Sequence, residues 1–254
     1  MNCFSEDNGK KSSSIDVSNE LIKKNRIILN EKEHVKKYIK YRNLHSDIID
    51  DMLEFIFIGE YPSHKYHNLI QDDIYKETKG LVYSLRPGNP DELAVITELY
   101  VYNNYKKIPS VTDLYIKNGK FKSEDKVKML KSMKESYVGL FKVVDIDKDE
   151  GYVYYQDVFT SKKFKIVDIA MSSTAKIIKD MPIYIYNRII TIDGISFSTN
   201  IHCMFIGKNN KLEKFIRKHK YNRCSDFSRC LLLYDLCKKS KKMVINYNNN
   251  YGSN

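Results

Sequence analysis

The chain has no tryptophan, only 10 glycines among its 254 residues, and five cysteines at irregular positions. With so little glycine there is no glycine-rich phosphate loop, and neither a P-loop nor a dinucleotide-binding fingerprint is present. Nucleophile-elbow and HExxH patterns are also missing, so motif reading yields no catalytic residue. Cys3, Cys203, Cys224, Cys230 and Cys237 are odd in number, which fits reduced thiols better than a disulfide framework. Gaps of five and six residues separate Cys224, Cys230 and Cys237, too wide for the usual pairs of zinc ligands. No metal or cofactor is therefore expected. No run reaches the roughly 20 apolar residues of a spanning helix. The opening MNCFSEDNGKKSSS carries charge and serine where a signal peptide needs an apolar stretch, which points to a cytoplasmic protein.

What is present suits a folded chain. Apolar residues make up 42% and charged residues 30% of it, and 20 tyrosines with 11 phenylalanines supply the large rings. Residues 1–14 and 243–254 are polar and of low complexity, and are expected to be disordered. Residues 15–136 read as helical. Asn30 with Glu33 forms a capping-box pattern, Ser46 opens a second segment with Ile49, Met52 and Leu53, and Pro62 ends it. Asn89, Pro90 and Glu92 start a helix carrying Val95 and Leu99 inward. Ser110 begins a short helix that stops at Asn118-Gly119, and Ser123 begins another.

At Tyr137 the period changes from 3.6 to 2. Five strands are expected, at about 138–146, 152–159, 163–169, 183–192 and 195–206, with Asp193-Gly194 as a two-residue hairpin turn. Residues 172–180 suit a short helix between the third and fourth. The expected fold class is thus α+β: a helical N-terminal half, then a small antiparallel β-barrel or curled sheet at 137–207, OB-like in its element order. Basic helices follow at 208–242.

The charge is unevenly placed. Between Lys208 and Lys242 stand 12 basic residues against three acids, which is +9 of the chain's formal +11. Such a field attracts polyanions, because neutralising phosphates releases counterions. Lys208, Lys211, Lys214, Arg217, Lys218, Lys220 and Arg223 are the candidate nucleic-acid-binding residues. In a lysine-rich composition the same residues also suit a plain solvated helix face.

Other patterns give way to plainer readings. Tyr152, Tyr154, Tyr155, Tyr184, Tyr186 and Phe197 could stack bases, but strand aromatics more often pack a core. Asp145, Asp147 and Asp149 resemble a calcium loop, yet its sixth and twelfth positions are Glu150 and Gln156 instead of glycine and an acid. An acidic hairpin turn fits better. The segments 110–114 and 126–133 resemble a helix-turn-helix with too long a connection. His64 and His67 read as surface residues. Asp145, Asp157 and Asp168 are the only carboxylates that suggest an unrecognised catalytic cluster.

The run from YVGLFKVVDID through YYQDVFT and IVDIAMS to YNRII resembles a region of uncharacterised bacterial proteins that sometimes end in a SEC-C metal-binding motif. That resemblance implies a helical lead-in and a β-module. The cysteine-rich SEC-C tail is absent here, and no activity or site residue is carried over. The first functional expectation is a non-catalytic intracellular binding protein whose basic C-terminal segment contacts RNA or DNA. The alternative is a protein–protein adaptor or accessory subunit, with lysines that serve only solubility.

Overall fold

The computed structural model describes residues 28–57, 95, 98–104, 109–173, 181–199, 203–220 and 226–239. Helix α1 (Glu33–Phe57) is one continuous rod. Its buried side chains Val35, Tyr38, Tyr41, His45, Ile48 and Met52 recur every three or four residues, so one face stays inward along its length. Ser46 lies inside this helix and opens nothing, because the stripe runs through it without a break. Nor does Asn30 cap the helix. The chain turns at residues 31–32, and the Lys32 carbonyl accepts the Val35 and Lys36 N–H groups.

Helix α2 (Val111–Asn118) starts where Ser110 is expected to cap, its hydroxyl accepting the Asp113 N–H at 3.1 Å. Gly119 follows it, but not in the left-handed conformation that a glycine cap usually adopts. Its φ of −83° is ordinary, and the phenyl ring of Phe121 occupies the space a Cβ would need. Helix α3 (Glu124–Lys134) is capped by Ser123. Both helices pack against α1. Residues 98–102 are helical, with Leu99 buried. The expected features at Pro62, His64, His67, Asn89, Pro90 and Glu92 lie outside the described residues.

The sheet is antiparallel throughout. Strand β1 (Tyr137–Asp147) pairs on one side with β2 (Tyr152–Asp157) and on the other with β4 (Ile183–Ile192), and β2 pairs with β3 (Lys163–Val167). The expected fifth strand is split in two: β5 (Ile195–Ser198) pairs with residues 189–192 of β4, and β6 (Cys203–Ile206) with residues 183–186. A bulge at Val143/Asp145 bends β1, and β3 comes close to β5, so the sheet curls into a half-barrel. Short helix α4 (Ile169–Ser173) follows β3, with Asp168 accepting the Met171 N–H at 2.9 Å. Asp193 and Gly194 both have positive φ, as the expected two-residue turn requires.

Three apolar cores follow from the alternation. Inside the curl lie Phe141, Tyr155, Met171, Ile185 and Ile189. Phe197, Ile190 and Ile192 face α1, α2 and α3. On the remaining outer face, Leu140, Tyr186, Cys203 and Phe205 meet helices α5 (Asn210–His219) and α6 (Asp226–Lys239). No described helix is long and apolar enough to cross a membrane.

Polar contacts bind α1 to the sheet. Tyr41 donates to Asp193 in the hairpin turn, Arg42 donates to the Ser198 carbonyl at 2.5 Å, and Lys32 pairs with Glu150. The Asp193 carboxylate beside it pushes the Tyr41 phenol up to about 12.

Deeper in, the Arg188 guanidinium on β4 forms an ion pair with Glu98 at 2.6 Å and donates to the Ser136 hydroxyl at 3.0 Å. Its face lies 4.4 Å from the Tyr102 ring centre. Tyr102 in turn meets His45. Burial first, then the Arg42 charge, lowers the His45 pKa to about 3, so its imidazole is neutral.

Two outcomes are expected. Glu98→Ala leaves a buried guanidinium unpaired and should cost about 3–5 kcal/mol of stability by urea unfolding. A neutral buried His45 contributes stability that is complete above its unfolded value of 6.5 and is withdrawn as pH falls from there toward about 3. Unfolding midpoints should therefore drop between pH 7.5 and pH 5, and His45→Phe should flatten that drop.

Candidate nucleic-acid interface

Helix α5 is built by its own amphipathic pattern. Asn209 caps it, accepting the Lys211 and Leu212 N–H groups at 3.1 and 3.0 Å. Leu212 is buried, while Phe215 and Ile216 pack against the outer core. His219 lies on the Phe215 ring, 4.3 Å between centres. On the opposite side Lys211, Lys214, Arg217 and Lys218 are exposed. At 3.6 residues per turn these four fall within about 120° of the circumference. Burial, then the Lys218 and Arg229 charges, push the His219 pKa down, as expected beside a concentration of positive charge.

Of the seven candidate residues, Lys208 precedes the helix, Lys211, Lys214, Arg217 and Lys218 lie on it, and Lys220 is exposed at its end. Arg223 lies outside the described residues. Among the described residues Lys208, Lys211, Lys214, Arg217 and Lys218 form no ion pair. The front half is mixed: Lys32, Lys36, Lys37, Lys40, Lys126, Lys128 and Lys134 pair with carboxylates, while Lys117, Lys120, Lys122 and Lys131 form no ion pair among the described residues. On α6, Arg229 pairs with Asp226 and Lys239 with Asp235.

Beside α5 a groove of about 480 Å³ opens between the helix and the outer face of the sheet. Glu213, Ile216 and Arg217 form its helical wall, and Lys142, Gln156 and Tyr184 its floor. The register sets these floor residues in one row. Lys142 stands opposite Gln156 on one side and Tyr184 on the other, and Gln156 stands opposite Lys163. Neither Lys142 nor Lys163 forms an ion pair among the described residues, and both are exposed.

The six strand aromatics divide cleanly. Tyr155, Tyr186 and Phe197 are core, while Tyr152, Tyr154 and Tyr184 are half-buried on the outer face. Tyr152 is already covered, by the His34 ring at 4.6 Å between centres and by the Lys165 ammonium at 3.7 Å. Sequence reading missed the row of Lys163, Gln156, Lys142 and Tyr184. Strand alternation groups such residues, but nothing in it says which face the helices leave open.

The remaining patterns serve local structure. Asp147 accepts the Asp149 and Glu150 N–H groups in a tight turn completed by Gly151 at φ 72°, an acidic hairpin between strands. Asp157 accepts the Phe159 and Thr160 N–H groups and the Thr160 hydroxyl. Asp168 caps α4, and Asp145 accepts its neighbour's N–H. Among the described residues no three His, Cys, Asp or Glu side chains are placed to hold a metal ion. Helix α3, the second half of the suggested helix-turn-helix, has Lys126, Lys128 and Lys134 tied into ion pairs.

Because Lys211, Lys214 and Lys218 are exposed and form no ion pair among the described residues, replacing them together by Gln should move stability by no more than about 0.5 kcal/mol per site. Leu212→Ala should cost about 2–5 kcal/mol in the same thermal or urea assay.

A model of a family of unknown function (DUF7986) matches residues 32–247. The chain belongs to that family. No curated protein and no solved structure matches it.

Proposed function

We propose that this member of DUF7986 is a non-catalytic binding protein that contacts nucleic acid through its basic C-terminal helix. The observation that carries the reading is the contrast in pairing. Among the described residues most cations of α1 and α3 are paired with acids, although Lys117, Lys120 and Lys122 near the α2–α3 connection are not, whereas Lys208, Lys211, Lys214, Arg217 and Lys218 are gathered in one stretch without an ion pair. Unpaired cations on one face give a field that counterion release turns into affinity for a phosphate backbone.

The same reading places the chain in the bacterial cytosol. Support for that comes from the buried free thiols of Cys203, Cys230 and Cys237, which suit a reducing compartment, and from the resemblance to bacterial sequences. Burial first of all raises the Cys203 and Cys230 pKa values, so neither is an activated nucleophile.

Fluorescence anisotropy with labelled oligonucleotides tests the proposal. Binding should weaken as salt rises, with log K against log[salt] falling by about 0.7–0.9 per phosphate neutralised. Changing Lys208, Lys211, Lys214, Arg217 and Lys218 to Gln should reduce both affinity and slope. If affinity survives that change, the helix is not the contact. Stoichiometric capture of a protein that persists after nuclease treatment would favour the adaptor reading instead.

A further inference from the structure

Helix α5 does not present its charge alone, because the sheet beside it continues the same surface. Strands lie about 4.8 Å apart, so the row Lys163, Gln156, Lys142, Tyr184 crosses four strands over about 14 Å and ends at the α5 wall. The Lys142 ammonium, an amide with both donor and acceptor, and a half-buried phenol ring line the groove together with Asp157, and Lys163 extends the row one strand beyond it. The Arg217 guanidinium stands at its rim, and the groove lies within the roughly 300–1,000 Å³ range of ligand sites.

We infer that this groove seats a single-stranded polynucleotide. A base lies against the Tyr184 ring, with its edge toward Gln156, and the flanking phosphates sit on Lys142, Lys163 and Arg217. The inference rests on the nucleic-acid reading and specifies the form of the ligand. A duplex keeps its base faces stacked inside, so a ring at the bottom of the groove would go unused. Single strands expose base faces, and stacking on an aromatic ring is tolerant of sequence. Glu213 in the wall is the one carboxylate there free of turn-forming bonds, and it opposes a phosphate placed beside it.

The test compares a labelled dT oligonucleotide with a duplex of equal length, using the full chain. The single strand should bind more tightly. Lys142→Gln with Lys163→Gln should lower the salt slope for the single strand by about 1.4, at roughly 0.7 per lysine. Tyr184→Leu should weaken it by about 5- to 150-fold, while Tyr184→Phe retains affinity. Glu213→Gln should strengthen it. Equal affinity for duplex, or floor variants that bind like the parent while the α5 variants fail, would overturn the groove and leave the helix reading standing. A parent chain that binds neither probe would overturn both.

Discussion

One buried guanidinium holds the polar framework together. Arg188 reaches from the longest interior stretch of the sheet to Glu98, to the end of α3 through Ser136, and across the ring of Tyr102 toward His45 on α1. A charge removed from water is tolerable only where partners meet it with good geometry, and here they come from the 98–102 segment and from the turn after α3, with His45 of α1 behind Tyr102. Their arrangement is therefore mutually enforced. If one retreats, the others face a naked ion in an apolar surround. Apolar packing supplies the bulk of the attraction between helices and sheet, but this cluster selects one way of docking among the many that apolar faces alone would accept.

The distribution of ion pairs gives the molecule two electrostatic characters. Along α1 and α3 most lysines are paired with carboxylates, as in Lys40 with Asp125 and Lys134 with Asp113. Exposed pairs of that kind add little stability, but they leave little field. On α5 and the neighbouring strands, Lys211, Lys214, Lys218, Lys142 and Lys163 form no ion pair among the described residues, and Lys165 rests on the Tyr152 ring.

Local signals in the sequence were readable where a side chain acts on its own backbone. Ser110 and Ser123 cap the helices they precede, Asn118 and Gly119 end one, and Asp193-Gly194 turns the hairpin. The α+β class followed from the change of period at Tyr137. Misreadings arose where distant partners decide. Ser46 resembles a cap but is carried through by a stripe of buried residues, and the last strand breaks because β4 shares one edge between two partners. The pairing of Glu98 with Arg188 joins residues 90 apart and leaves no local trace. The groove floor was likewise hidden, since its row depends on register between strands and on where α5 comes to rest.

The contacts of α1 are made across great stretches of chain: Tyr41 with Asp193 spans 152 residues, and Arg42 with Ser198 spans 156. During synthesis at about 5–20 residues per second, the helix waits roughly 8–30 s for its partners to leave the ribosome. Through that interval the stripe from Val35 to Met52 lacks Ile190, Ile192 and Phe197, the side chains that complete its core. Its full native burial therefore waits on the hairpin at Asp193-Gly194, which reaches it late in synthesis.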